Sequence, residues 1–360
     1  MKLNKLFLTA IAGAMFLTSC SNDDDSAGPG IVVPQGEYEN GVFILNEGGF
    51  GQGNASVSFL SNDMELQNNI FATVNSNAIL GDTGQDIGLH GNFAYIVLNY
   101  SNKIEVVNRY TFEKVATISS GLTNPRYVAF SGNKAYVTNW GDATDATDDY
   151  VAVIDLASNQ ITNTISVAEG PERILEENGK LYVAHKGGYG YGNSITVING
   201  GSNTVETSIE VGDVPGSIDI EDGKLYVMNE GIPSWSGNET TGSLQVIDLN
   251  SNTVSSTYSF PGMAHPANLT IEDDKIYYTV DSDVYVMPIS TTALPSTVLL
   301  TTTDQGVYGI YSFAVEDDKI YIGDALDYNS NGKVYIYSTT GTHQGTFTVG
   351  VIPAGFYFND

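Results

Sequence analysis

Apolar and polar positions along this chain repeat with a long beat and show no helical periodicity. The clearest unit is GNKAYVTNW at residues 132–140: a turn, a short apolar strand and a polar exit. Related units are GVFILN at 41–46, GNFAYIVLN at 91–99, GKLYVAH at 179–185, GKLYVMN at 223–229, DKIYYTV at 274–280 and DKIYIGD at 318–324. Their aligned aromatics are Phe43, Tyr95, Tyr136, Tyr182, Tyr226, Tyr277 and Tyr321, with successive gaps of 52, 41, 46, 44, 51 and 44 residues. Seven units of about four strands each, spaced near 45 residues, predict an all-β, seven-bladed β-propeller.

Each unit divides into four predicted strands. In the third these are Pro125–Phe130 (inner), Lys134–Asn139, Tyr150–Leu156 and Gln160–Val167 (outer), separated by Ser131-Gly132-Asn133 and Ala157-Ser158-Asn159 as hairpin turns. The fourth follows with Pro171–Glu176, Lys180–His185, Ser194–Ile198 and Thr204–Val211. The fifth has Pro215–Ile220, Lys224–Asn229, Ser243–Leu249 and Thr253–Phe260. No amphipathic helix of useful length interrupts them. The first unit lacks an inner strand, while Pro353-Ala354-Gly355-Phe356-Tyr357-Phe358 is left over at the end and matches the inner-strand pattern after Pro125, Pro171 and Pro215. The tail is therefore expected to complete the first blade and close the ring over residues 37–360.

The start of the chain reads differently. Lys2 and Lys5 precede an apolar run, Leu6–Leu17, which is too short for a permanent membrane span and suits a signal peptide over residues 1–19. Leu17-Thr18-Ser19-Cys20 resembles a bacterial lipobox, which implies lipidation of Cys20, the single cysteine. Residues 20–36 then form a polar tether that opens with Ser21-Asn22-Asp23-Asp24-Asp25. Without Lys2 and Lys5 the formal charge moves from -28 to -30. Such an acidic chain has no Lys/Arg cluster with which to neutralise phosphates, so nucleic acid is excluded as a partner.

Candidate chemistry falls on the loops between second and third strands, which gather on one propeller face. These are Glu47–Gly53 with Phe50, Trp140–Asp149, Lys186–Gly192 with Tyr189 and Tyr191, Glu230–Gly242 with Trp235, and Ala325–Asn331 with Tyr328. Tyr100 and Tyr308 join them as candidate ligand contacts. Aromatic rings on glycine-flanked loops suit a flat or bulky ligand, since they give large contact area with few rotamers to freeze; the alternative is that they pack on one another. The second strands end in a polar series, Asn46, Asn99, Asn139, His185, Asn229, Asp281 and Asp324. These groups either face the channel mouth and bond ligand amides or cap their own loops. Arg126 and Arg173 stand near the starts of neighbouring inner strands, placed either to grip an anion or to pair with acids between blades.

His90, His185, His265 and His343 have no metal-ligand spacing. GDATDATDDY at 141–150 is a loose acidic loop without the glycine and terminal glutamate of a calcium-binding EF-hand, so no resident metal or cofactor is called. No nucleophile elbow and no HExxH motif is present, which points away from an enzyme. A propeller lactonase or lyase built on Asp281, Asp324, His185 and Asn139 stays as the alternative, beside a surface binder of glycans or siderophores.

The KAYVTNW unit with its NTISV outer strand resembles the YVTN family of propeller repeats. The lipobox, the acidic cluster after Cys20, EYENGVFILNEGGFG at 37–51 and the seven units together resemble the surface cobalamin-binding propeller lipoproteins of Bacteroidetes. That resemblance implies an outer-membrane lipoprotein facing outwards. It would capture cobalamin or another corrinoid and pass it to a TonB-dependent transporter.

Overall fold

The computed structural model describes residues 36–359, apart from Ala143 and Tyr308. The signal peptide, Cys20 and nearly all of the tether, like Tyr308, therefore lie outside the described residues. Seven four-stranded antiparallel sheets are arranged as the blades of a propeller. The strand boundaries follow the repeat closely: the third blade comprises Pro125–Ser131, Lys134–Asn139, Tyr150–Asp155 and Gln160–Ser166. Among the described residues, helix is confined to Ile70–Val74 and two single turns. Among the described residues no helix is long and apolar enough to cross a membrane.

The burial gradient across a blade explains the sequence pattern. A second strand such as Lys180–His185 is covered on both faces by adjacent blades, so KLYVAH is nearly all apolar. An outer strand such as Thr204–Glu210 is exposed at every position except Ile209, so polar residues and β-branched residues mix there. The aligned aromatics are buried, and seven apolar clusters fill the seven interfaces between blades. Tyr136 also donates its hydroxyl to the Gly200 carbonyl of the fourth blade at 2.7 Å.

The ring closes as its ends predict. Pro353–Asn359 pairs antiparallel with Gly41–Asn46, matching Val42 with Phe358, Phe43 with Tyr357 and Ile44 with Phe356. The last apolar cluster joins Val42 and Ile44 of the first blade to Tyr321, Val334 and Ile336 of the seventh. Asn359 adds a polar clasp, donating to the Arg109 carbonyl at 3.1 Å and accepting from Arg109 Nε. The turns between inner and second strands need left-handed backbone. Gly132, Gly179 and Gly223 supply it at φ 60°, 79° and 68°, and Asp274 and Asp318 occupy it at 58° and 60°.

Candidate functional site

Inner strands enter from the loop-bearing face and line a channel of about 490 Å3. The third residues of these strands include Asp86, Tyr127, Arg173, Ser217 and Asn268. A register shift lies near the start of each of these strands. These residues line the channel. Beside the channel mouth a cleft of about 570 Å3 opens between the loops of the fourth and fifth blades. Tyr189, Tyr191 and Trp235 line it together with Lys186, Glu230 and His265. Glu230 borders both spaces.

The loop aromatics are displayed unevenly. Trp235 is 85% exposed on a single 3-10 turn, Ser234–Ser236, and Tyr189 is 80% exposed. Phe50 and Tyr100 are exposed as a pair across the first two blades, ring centroids 4.4 Å apart. Tyr328 is exposed and meets Tyr311 edge-on at 5.8 Å. Among the described residues, Phe93 is the one exposed Phe, Tyr or Trp at the opposite end, at the start of the second strand Phe93–Leu98. Trp140 is half-buried and held on three sides. Its Nε1–H donates to the Pro171 carbonyl at 3.1 Å, the Arg126 guanidinium lies 4.2 Å from the ring, and Tyr189 meets it edge-on at 6.0 Å. Trp140 thus forms the base on which Tyr189 stands.

The polar series at the second-strand ends is mostly buried and bonded within the protein, so of the two alternatives for it the internal one holds for most members. Asn99 is buried and donates to the Pro125 carbonyl at 3.1 Å. Asn139 is fully buried, donates to the Val137 carbonyl at 2.8 Å and accepts from the Thr123 amide at 3.2 Å. Asn229 donates to Ser243 Oγ and Gln245 Oε1, both at 3.1 Å. His185 is buried, with Nε2 2.8 Å from Thr196 Oγ1 and Nδ1 facing the Glu169 carbonyl at 3.3 Å. Burial pushes His185 down to about 4, so it is neutral at pH 7. Asn46 and Asp324 are buried as well, and Asp281 alone is exposed. Asp324 bonds the loop that starts beside it, accepting from the Leu326 amide at 2.9 Å, whereas the other buried members bond neighbouring strands, the next blade or the incoming loop. A polar side chain buried at the end of a doubly covered strand takes the polar partners that surround it.

The two arginines differ. Arg126 forks onto Glu172 of the next blade, Nε to Oε2 at 2.9 Å and Nη2 to Oε1 at 2.7 Å, an inter-blade pair. Arg173 stacks its guanidinium 4.2 Å from the Tyr127 ring inside the channel. Around them lies a set of channel-mouth groups that single residues in the sequence did not reveal. Glu47 accepts a 2.6 Å hydrogen bond from Tyr311, and burial raises its carboxyl despite that bond. Lys186 pairs with Glu230 at 3.0 Å; burial works against its charge, but Glu230, Glu172 and Tyr127 together outweigh it and hold the ammonium above its ordinary range. Burial also raises Asp86, which accepts from the Tyr357 hydroxyl at 3.0 Å and from the Val128 amide at 2.9 Å. The legible signal was positional: charged and phenolic residues at the third place of strands that otherwise face a core.

The acidic loop after Trp140 binds itself. Asp142 and Asp145 accept from Thr144 and Thr147, and Asp148 accepts from the Asp142 amide. Among the described residues, the one group of three acids whose oxygens all lie within 4.8 Å of one another is Glu221, Asp222 and Asp274, on the opposite face.

The sequence model of the family described as "Domain of unknown function (DUF5074)" matches residues 40–358. No curated protein matches the chain. Among solved structures, the chain resembles a quinonprotein alcohol dehydrogenase-like protein from Bacteroides thetaiotaomicron, with a TM-score of 0.63 and 15% identity over 90% of this chain and 79% of that one. A functionally unknown protein from Desulfotomaculum acetoxidans gives a TM-score of 0.63 and 13% identity over 89% and 98%. BamB from Moraxella catarrhalis gives 0.52 and 15% over 87% and 84%. At these identities the likeness extends to the fold alone.

Proposed function

We propose, from the premise that this chain belongs to the DUF5074 family of unknown function, that it is a surface ligand-capture propeller and not an enzyme. Its loop-bearing face takes up a flat, bulky nutrient, with cobalamin or a related corrinoid as the leading ligand. One observation supports this most: Phe50, Tyr100, Tyr189, Tyr191, Trp235 and Tyr328 are all exposed on the second-to-third loops of one face. Exposed rings cost free energy in water, and a concentration of them on one face is relieved by a ligand with its own apolar surface. The cleft of about 570 Å3 between Tyr189 and Trp235 has the size of a small-molecule site.

The corrinoid assignment rests on the resemblance of the lipobox and repeat pattern. The same resemblance supports anchoring to the outer membrane by a lipid at Cys20, with a TonB-dependent transporter as the recipient. Gel filtration of the protein with cyanocobalamin tests the ligand. Coloured protein, absorbing in the visible at its elution volume, supports the proposal. A colourless protein peak removes the corrinoid and leaves glycans and siderophores as the ligands to screen. Protease treatment of intact cells tests the location: loss of the protein supports surface display, and full protection contradicts it.

A further inference from the structure

Arg126 and Arg173 are near neighbours on adjacent inner strands, yet only Arg126 is hydrogen-bonded to a carboxylate among the described residues; Asp86 and Glu172 act on Arg173 through space. The Arg126 fork is filled by both oxygens of Glu172. Arg173 makes no hydrogen bond and no ion pair among the described residues; its contact is the Tyr127 ring, 4.2 Å from the guanidinium carbon. The acids around it are engaged elsewhere. Asp86 accepts from Val128 on one oxygen and from Tyr357 on the other, and Glu172 is held by Arg126. A guanidinium has five donors in a rigid fork, and at Arg173, partly exposed on the channel wall, that edge is open to a group entering the channel. Stacking on Tyr127 fixes the plane of the fork without using its edge.

Arg173 also stands between two spaces. It lines the channel of about 490 Å3, and it borders a recess of about 90 Å3 shared with Asn268, Tyr311, Ser312 and the backbone at Ala354 and Gly355. The channel meets the aromatic cleft at Glu230. We infer that Arg173 anchors an oxyanion subsite within the channel, which takes a carboxylate or phosphate group by forked hydrogen bonds. Arg126 has no part in it. The inference deepens the proposed capture function, in that the ligand carries such an anionic group, but the subsite itself does not require a corrinoid.

The chain has three arginines, Arg109, Arg126 and Arg173. Arginine-selective nitrogen-15 labelling therefore gives three Nε–H signals. The Arg173 signal is assigned by its loss in Arg173→Lys; should that variant not fold, Arg109→Lys and Arg126→Lys assign it by elimination. The labelled wild-type protein is titrated with inorganic phosphate and, separately, with acetate at constant ionic strength. A saturable shift of the Arg173 signal alone supports the subsite, and the better of the two anions identifies the chemistry. An unmoved Arg173 signal overturns the inference, as does a parallel drift of all three signals. Failure of cyanocobalamin to bind would leave a phosphate or acetate response intact, so the two proposals fail separately.

Discussion

His185 shows how a single buried side chain acquires a pH dependence. Burial lowers it to about 4 in the folded protein, against an ordinary value of 6.5. The unfolded chain then binds more protons than the folded one between those values, so His185 removes stability as pH falls through that window. Asp149 and Asp219 work in the opposite sense, since burial raises each to about 6. The His185 contribution is therefore isolated by comparison with His185→Gln. Wild-type protein should lose about 3 kcal/mol relative to the variant between pH 7 and pH 4, measured by urea unfolding at both values. Parallel pH curves would show that His185 is not buried as described. The Arg126–Glu172 pair makes a second residue-level prediction. Glu172→Ala leaves a guanidinium unpaired between blades and should cost about 3–5 kcal/mol, while Arg126→Met combined with Glu172→Leu should cost less. Equal losses in thermal or urea unfolding would contradict a matched inter-blade pair. The polar series shows where sequence alone stopped: strand periodicity placed Asn99, Asn139, His185 and Asn229 at the strand ends, but the direction of each side chain depends on loop backbone that has no pattern in the sequence.

At the scale of elements the repeat carried most of the information. Second strands such as Lys134–Asn139, Lys180–His185 and Lys224–Asn229 match their predicted bounds, because burial on both faces forces an apolar run between fixed turn residues. The inner strands were legible by position and Arg173 stood out on them, whereas Asp86 and Tyr127 did not, since they acquire meaning only when seven strands are brought around one channel. The closing strand leads to a direct test. Removing residues 352–360 exposes both Gly41–Asn46 and the seventh-blade cluster, and should lower the melting temperature sharply. A truncated chain that melts at the wild-type temperature would contradict closure through this strand. The loops behave differently. Trp235 is 85% exposed, so Trp235→Ala should change stability by no more than about 0.5 kcal/mol.

The whole molecule has two unlike faces. Short turns on one face carry Glu221, Asp222, Asp274, Asp317 and Asp318, whereas the long loops of the other carry the exposed rings and lead into a channel with a stacked arginine. A closed ring suits this division, because seven blades hold the loop bases rigidly while loop sequences vary freely. Capture of a corrinoid by the aromatic face is the function proposed for this arrangement. Its most direct test is a calorimetric titration with cyanocobalamin of the wild-type protein, Trp235→Ala and Phe93→Ala, the last altering an exposed ring on the opposite face. The account predicts one-to-one binding tighter than about 1 μM, or roughly -8 kcal/mol, weakened at least about tenfold by Trp235→Ala and unchanged by Phe93→Ala. Absence of heat with the wild-type protein, or equal affinity in all three, would contradict it.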